Sequence, residues 1–358
     1  KRSKNKSISV VTKNQIGKLT NAHANASNSV DFLNRNKMVD YNTTILDAFC
    51  EKPAEGTDTT LCNLYTGVAG ISEGLNVFFL LFAGALVFLM QSGFAMLCAG
   101  SVRQKNVKNI MLKNLLDACG GALGFYTIGY ALAYDNNSTG GKDFIGTENF
   151  FIRDFDSGGD LIGFFFQFAF AATAATIVAG TVAERCKMQA YLCYSVFLTG
   201  FVYPVIVRSI WSGNGFLTAF RDDPFRDVGV VDFAGSGVVH MTGGATALVA
   251  AIVLGPRKGR FYDEDGNPLE TPREFQAHSV ALQILGTFVL WFGWYGFNPG
   301  SALAIDNPDS AATAALCAVT TTTAAATGCV TAMFTDTIID MLQTGEASYD
   351  LTMAMNGC

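Results

Sequence analysis

Residues 275–305 read FQAHSVALQILGTFVLWFGWYGFNPGSALAI, 31 residues without a charge between Glu274 and Asp306. A helix that crosses hydrocarbon needs about 20 mostly apolar residues. A soluble helix is ordinarily shorter and carries a charged face. The run is also too long and too uniformly apolar for a barrel strand, so a helix is the spanning element it predicts. The same measurement taken outward finds comparable gaps. Glu73 to Arg103 leaves 29 uncharged residues, Asp160 to Glu184 leaves 23, Lys187 to Arg208 leaves 20, Asp232 to Arg257 leaves 24 and Asp309 to Asp336 leaves 26. Lys113 to Asp135 leaves 21, interrupted by Asp117 near one end. Seven such runs in one chain predict a polytopic all-α membrane protein, because a soluble core would not be built from seven charge-free helices in succession.

Composition points the same way. Of 358 residues, 50% are hydrophobic and 15% charged, against about 25% charged in an ordinary globular chain. That leaves too little charge to cover a soluble surface. The net charge of −6 offers no basic footprint, which argues against nucleic-acid binding. The spans are rich in small residues, among them Ala171-Ala172-Thr173-Ala174-Ala175 and Gly243-Gly244-Ala245. Small residues let helix backbones approach closely where no hydrophobic effect drives helices together. Residues 1–73 read as a polar tail and residues 74–358 as the membrane domain. The chain opens on Lys1 rather than Met, and residues Leu351 to Cys358 resemble the start of an eighth apolar segment, so it reads as a fragment at both ends.

Basic residues in the short loops set the expected orientation. With the N-terminus outside, the inner loops carry ten: Arg103, Lys105, Lys108, Lys113, Arg185, Lys187, Arg257, Lys258, Arg260 and Arg273. The outer loops carry five: Lys142, Arg153, Arg208, Arg221 and Arg226. Two overlapping glycosylation sequons in Asn136-Asn137-Ser138-Thr139 then fall on the outer side. Five of the nine cysteines lie in spans, where they act as small apolar residues, and no Cys-x-x-Cys occurs, which argues against a metal site. Cys50 and Cys62 in the tail are either a disulfide or two free thiols.

The polar residues inside the spans carry the chemistry. His23 lies in the tail and receives no role, and His278 opens the sixth span as an interfacial or packing residue. His240 lies eight residues past Asp232, about 12 Å into the fifth span at 1.5 Å per residue. An ionisable group at that depth is costly and marks a functional site, with a neutral imidazole bonded to a neighbouring helix as the other reading. Asp232 suits the first turn of that helix as a cap. On an outer face it also places negative charge where a cation would gather. Trp211 lies in the connection before this span, as an interface anchor or a cation-facing ring. Phe170 and Phe297 are packing residues or pore-lining rings. Asn298-Pro299-Gly300-Ser301 interrupts a span, and such breaks are tolerated only where protein or a water-filled cavity satisfies the freed backbone.

Four stretches together resemble the ammonium transporter (Amt/Mep/Rh) family, in its plant and algal branch: 232–240, 291–301, Gly93-Phe94-Ala95-Met96-Leu97-Cys98-Ala99-Gly100-Ser101-Val102-Arg103, and Ala183-Glu184-Arg185. The resemblance runs from about Gly74 to Gly357. It implies a fold of eleven spans, about seven of them in this chain, in two inverted halves, assembled as a homotrimer with one pore per subunit in the plasma membrane. It implies that Trp211 and Ser301 form an outer ammonium site supported by Asp232. Phe170 and Phe297 become stacked gates beneath it, and His240 the first of two pore histidines, the second lying beyond Cys358. Ammonium, ammonia and methylammonium are the implied solutes. No cofactor, metal or enzymatic activity is implied. An ammonium sensor built on the same binding site is the alternative reading.

Overall fold

The computed structural model describes Cys50, residues 60–134, residues 144–153, Phe155 and residues 157–358. Seven helices among them are long and apolar enough to cross a membrane. They are α1 (Thr60–Ser101), α2 (Gln104–Ala133), α3 (Gly158–Thr176), α4 (Met188–Ile210), α5 (Ser236–Leu254), α6 (Val280–Ala302) and α7 (Pro308–Thr344), followed by the short α8 (Leu351–Gly357). Each charge gap in the sequence overlaps one of the seven. All the described residues belong to one unit, Asn42–Cys358. The first helix already begins at Thr60, ahead of the 73/74 boundary expected between tail and membrane domain. Cys50 and Cys62 are joined as a disulfide. The sequons at Asn136 and Asn137, His23 and nearly all of the tail before Thr60 lie outside the described residues.

Local chemistry sets the helix ends. Ser157 accepts a hydrogen bond from the amide of Asp160, Ser279 from that of Leu282 and Asn307 from that of Ser310, so α3, α6 and α7 each start on a side-chain cap. Pro308 occupies the first turn of α7, where its missing N–H costs nothing. The Asn298-Pro299-Gly300-Ser301 break does not cut α6 in half. The α-helix runs to Phe297, a 3₁₀ turn over Pro299–Ala302 closes it, and Leu303 turns the chain away at φ 62°.

α3 is the centre of the bundle. Phe166 and every residue from Ala169 to Thr176 are buried. α7 stands at the edge, with Leu316, Val319, Val330, Phe334 and Ile338 all exposed. α1 and α6 pack against each other along much of their length. At Gly286 a side-chain carbon would sit 2.4 Å from the amide nitrogen of Leu97 and 2.7 Å from the carbonyl oxygen of Gly93. Only glycine admits that approach, the small-residue packing expected of membrane helices. α2 and α4 each carry one π turn, Phe125–Gly129 and Leu198–Val202, and the two turns pack on each other. The turn in α4 directly precedes Pro204, whose lack of an N–H would otherwise break the ladder of an uninterrupted helix.

Two ends of the bundle differ in chemistry. The loops around residues 103, 184 and 257 meet at one end, which we call the basic end. Trp211, Asp232 and the closing turn of α6 with Ser301 lie at the opposite end.

Candidate functional site

The stretch from Asp232 to Met241 is folded around one carboxylate. Asp232 Oδ1 accepts the amides of Gly235 (2.7 Å) and Ser236 (3.0 Å), and Oδ2 those of Gly237 (2.9 Å) and Val238 (2.7 Å). Gly235 adopts φ 91°, a conformation that side chains disfavour, and this bend turns four successive N–H groups toward one side chain. The carboxylate is 6% exposed, and among the described residues no cationic group lies within ion-pair distance. Its charge is held by backbone dipoles and the positive end of α5 rather than neutralised.

Trp211 caps the end of α4, and its indole Nε1–H donates to the backbone oxygen of Asp232 at 2.7 Å. Its ring reaches over Gly235, where a side-chain carbon would sit 3.4 Å from Cη2. The Trp211 ring lies 6.1 Å from that of Phe170, edge-on at 75°. Phe170 lies 4.1 Å from Phe297 at 30°, and Phe297 lies 5.4 Å from the imidazole of His240. Both phenyl rings are fully buried. Ser301 joins this series through the backbone. Its hydroxyl donates to the carbonyl of Phe297 at 2.8 Å, which spends the proton and leaves the oxygen lone pairs as acceptors.

The structure therefore places Trp211, Asp232, Phe170, Phe297 and His240 in one contact series, with Ser301 bonded to the backbone carbonyl of Phe297. It revises the position of His240 along its helix. The helix starts at Ser236, not at Asp232, and opens as a π turn over Ser236–Met241, so the histidine stands four residues inside it rather than eight. Asp232 folds back from outside the helix to cap it, and a count from Asp232 includes residues that are not helical. The imidazole is exposed in this chain, on an open side of the bundle. His278 is exposed at the start of α6, where its amide donates to Val102 O at 3.0 Å.

A second carboxylate, to which the sequence assigned no role of its own, organises the basic end. Glu184 sits at φ 63°, and its side chain is 1% exposed. Its Oε1 accepts the amide of Arg103 (3.1 Å), the Arg103 Nε–H (3.0 Å) and the Asn106 amide (2.5 Å), and Oε2 faces Arg257 at 3.4 Å. Arg103 also stacks on Phe275, 3.5 Å from the ring centre. Beside it, Arg185 donates to Gly255 O at 2.6 Å. Burial alone would raise the Glu184 carboxyl, but the hydrogen bonds from Arg103 and Asn106 outweigh it and hold the group below its ordinary 4.5. Three loops are thus fastened to one side chain. The only sequence signal was the Ala183-Glu184-Arg185 motif.

With this geometry in view, the comparisons with known proteins decide the family. The family model described as "Ammonium Transporter Family" matches residues 77–358. The chain belongs to the ammonium transporter family. It is 48% identical over 234 residues to "Ammonium transporter 1 member 3" of Solanum lycopersicum, a match covering 65% of this chain and 49% of that protein. It is 51% identical over 209 residues to "Ammonium transporter 1 member 1" of Arabidopsis thaliana, covering 58% of this chain and 40% of that one. Among solved structures, "Sensor Amt Protein" matches with a TM-score of 0.65 at 33% identity, over 78% of this chain and 65% of that one. Saccharomyces cerevisiae Mep2 matches with a TM-score of 0.64 at 27% identity, over 79% and 58%. The chain therefore spans about half the length of the curated family members it matches. The all-α bundle of seven candidate spans agrees with these family structures.

Proposed function

We propose that the protein to which this chain belongs carries ammonium across the plasma membrane by capturing the cation, removing its proton and passing the neutral base. The observation that carries the reading is the unbroken contact series from Trp211 through Phe170 and Phe297 to His240, set beside a carboxylate with no cation at ion-pair distance among the described residues. Excess Lys and Arg in the loops of the basic end support a cytoplasmic position for that end, with the Trp211 end outside.

Ammonium and potassium are of similar size, so a sieve does not separate them. A charge at mid-membrane costs several kcal/mol. Ammonium escapes that cost through NH4⁺ ⇌ NH3 + H⁺, which potassium cannot follow. The face of Trp211 attracts the cation by about 0.5–2 kcal/mol. Ser301, its own proton committed to Phe297 O, accepts an N–H from the solute. Asp232 acts through its potential and by holding the indole. All four of its strong acceptor directions are taken by backbone N–H groups, which leaves it poorly placed to receive the proton directly. The buried Phe170 and Phe297 rings exclude water and bare ions. His240 offers a hydrogen-bond partner to the neutral base beyond them. Assembly as a homotrimer follows from the family resemblance.

A sensor using the same binding site is the second reading, favoured by the match to a structure titled "Sensor Amt Protein". Labelled methylammonium flux into proteoliposomes containing the full-length protein separates the two. Transport predicts saturable flux that Trp211→Leu weakens and His240→Asp alters. Binding without flux selects the sensor, and flux indifferent to both substitutions overturns the site.

A further inference from the structure

α2 and α4 enclose a group of polar side chains away from the ring series. Lys113 and Asp117 stand one turn apart on α2 and are 1% and 0% exposed; Asn114 between them is 2% exposed. Lys113 Nζ donates to the carbonyl of Cys186 at 2.7 Å, in the loop at the basic end, and lies 5.2 Å from the centre of the Tyr191 ring. No carboxylate among the described residues lies within ion-pair distance of it. The Tyr191 hydroxyl donates to Asp117 Oδ2. Ser195, one turn further along α4, stands beside the same carboxyl group without a hydrogen bond of normal geometry. Among the described residues, Asp117 Oδ1, Asn114 Oδ1 and Ser195 Oγ are all buried with no hydrogen-bond partner.

This arrangement is incomplete in a specific way. Asp232 is buried too, but four N–H groups meet its two oxygens. Asp117 receives one hydroxyl on one oxygen. Burying an ionised carboxylate is costly unless it is paired and fully hydrogen-bonded, and each orphaned buried acceptor costs about 1–3 kcal/mol. What the cluster lacks is a hydrogen. A proton on Asp117 Oδ1 removes the charge and turns that oxygen into a donor toward Ser195 Oγ. The other groups facing Asp117 are Tyr194 from α4 and Cys98 from α1, while Cys186 from the loop faces Lys113. An apolar layer of Val178, Ala179, Val182, Ala183 and Ala247 packs around Cys98 and Tyr191, walling the cluster on that side.

We propose that Asp117, with Lys113, Tyr191 and Ser195, is a proton-binding site between α2 and α4 that exchanges with the solution at the basic end. The reaction is –COO⁻ + H⁺ ⇌ –COOH at Oδ1, with solvent as the proton donor and acceptor. Access runs past Lys113 and the carbonyl of the half-exposed Cys186. The site stands apart from the proposed path of the neutral base, and its existence does not depend on the transport reading.

Infrared difference spectra of the full-length protein in detergent, between acid and alkaline buffer, test this directly. The wild type should give a high-frequency carboxylic-acid band of the kind an unhydrated COOH shows, lost in Asp117→Asn and shifted in Ser195→Ala. Lys113→Met should move the pH at which the band titrates. A wild-type spectrum without such a band overturns the proposal, as does a band that persists unchanged in Asp117→Asn. Should Asp117→Asn not fold, Ser195→Ala decides: an unshifted band sinks the assignment.

Discussion

Asp232 and Glu184 are both carboxylates buried at an end of the bundle, and they are satisfied in opposite ways. Glu184 is met by Arg103 and Arg257, so its charge is cancelled where it stands and its work is to fasten three loops. Asp232 is met by four backbone amides, which supply hydrogen bonds without a formal positive charge. Its field therefore extends beyond its own contacts, toward the indole it holds. The residue type does not distinguish an anchor from an attractor; the donors around it do.

The comparison breaks most visibly at Asp232. Asp232→Ala leaves four amides without their acceptor, each costing about 1–3 kcal/mol where water does not replace it. Methylammonium flux should disappear, and thermal unfolding should move down by many degrees. A variant with near-native flux would show that neither the charge nor the cap matters. Next in size is Glu184→Gln. It keeps an oxygen for Arg103 but removes the charge that balances two guanidinium groups, a loss of the order of 3 kcal/mol for a buried pair. The melting temperature should fall while the KM for methylammonium stays put. A raised KM instead would tie the basic end to the solute site.

A smaller effect sharpens the same point through pH. A carboxyl held below its ordinary value contributes stability that is present above about 4.5 and is lost as pH falls through the lower folded value. Acidification below about pH 4 should therefore destabilise the wild type more steeply than Glu184→Gln, as read by melting curves across the acid range. Parallel curves would remove Glu184 from the acid response. The least effect is expected of Trp211→Phe. It retains a ring but forfeits the bond to Asp232 O, worth about 0.5–1.5 kcal/mol, and should raise KM by less than about tenfold. Trp211→Leu, which also loses the cation-facing surface, should raise it further.

The seven spans were legible because charge-free length is a local property, visible wherever Lys, Arg, Asp and Glu are missing. The rings were legible as a set only through motifs in register, since nothing in Phe170 or Phe297 taken singly separates a gate from packing. The start of the helix that carries His240 was misjudged because the fold-back at Gly235 depends on a single dihedral angle. Asp117 stayed silent, and Glu184 showed only as part of its motif, for a related reason. Asp117 read as a stray charge near a span end, yet it meets Tyr191 of another helix. Glu184 gains its role from residues 81 and 73 positions away. Tertiary donors leave no local trace. The pairing of Cys50 with Cys62 was one of two open readings, and the fold closes it.

The facing π turns of α2 and α4 carry a consequence for how this sequence can change. Such a turn holds one residue more than the α-helix it interrupts. Removing a single residue from Leu198–Val202 would rewind it as an α turn, leaving what lies beyond nearly in phase but taking away the wide turn that accommodates Pro204 and packs on its counterpart in α2. Pro204 would then stand inside an uninterrupted α ladder, where its ring meets the carbonyl one turn back. Hydropathy would hardly register the loss, and every substitution-based score would pass over it. Single-codon deletions scanned across α4 should therefore find this segment brittle, with viable lineages recovering the missing residue within the same turn.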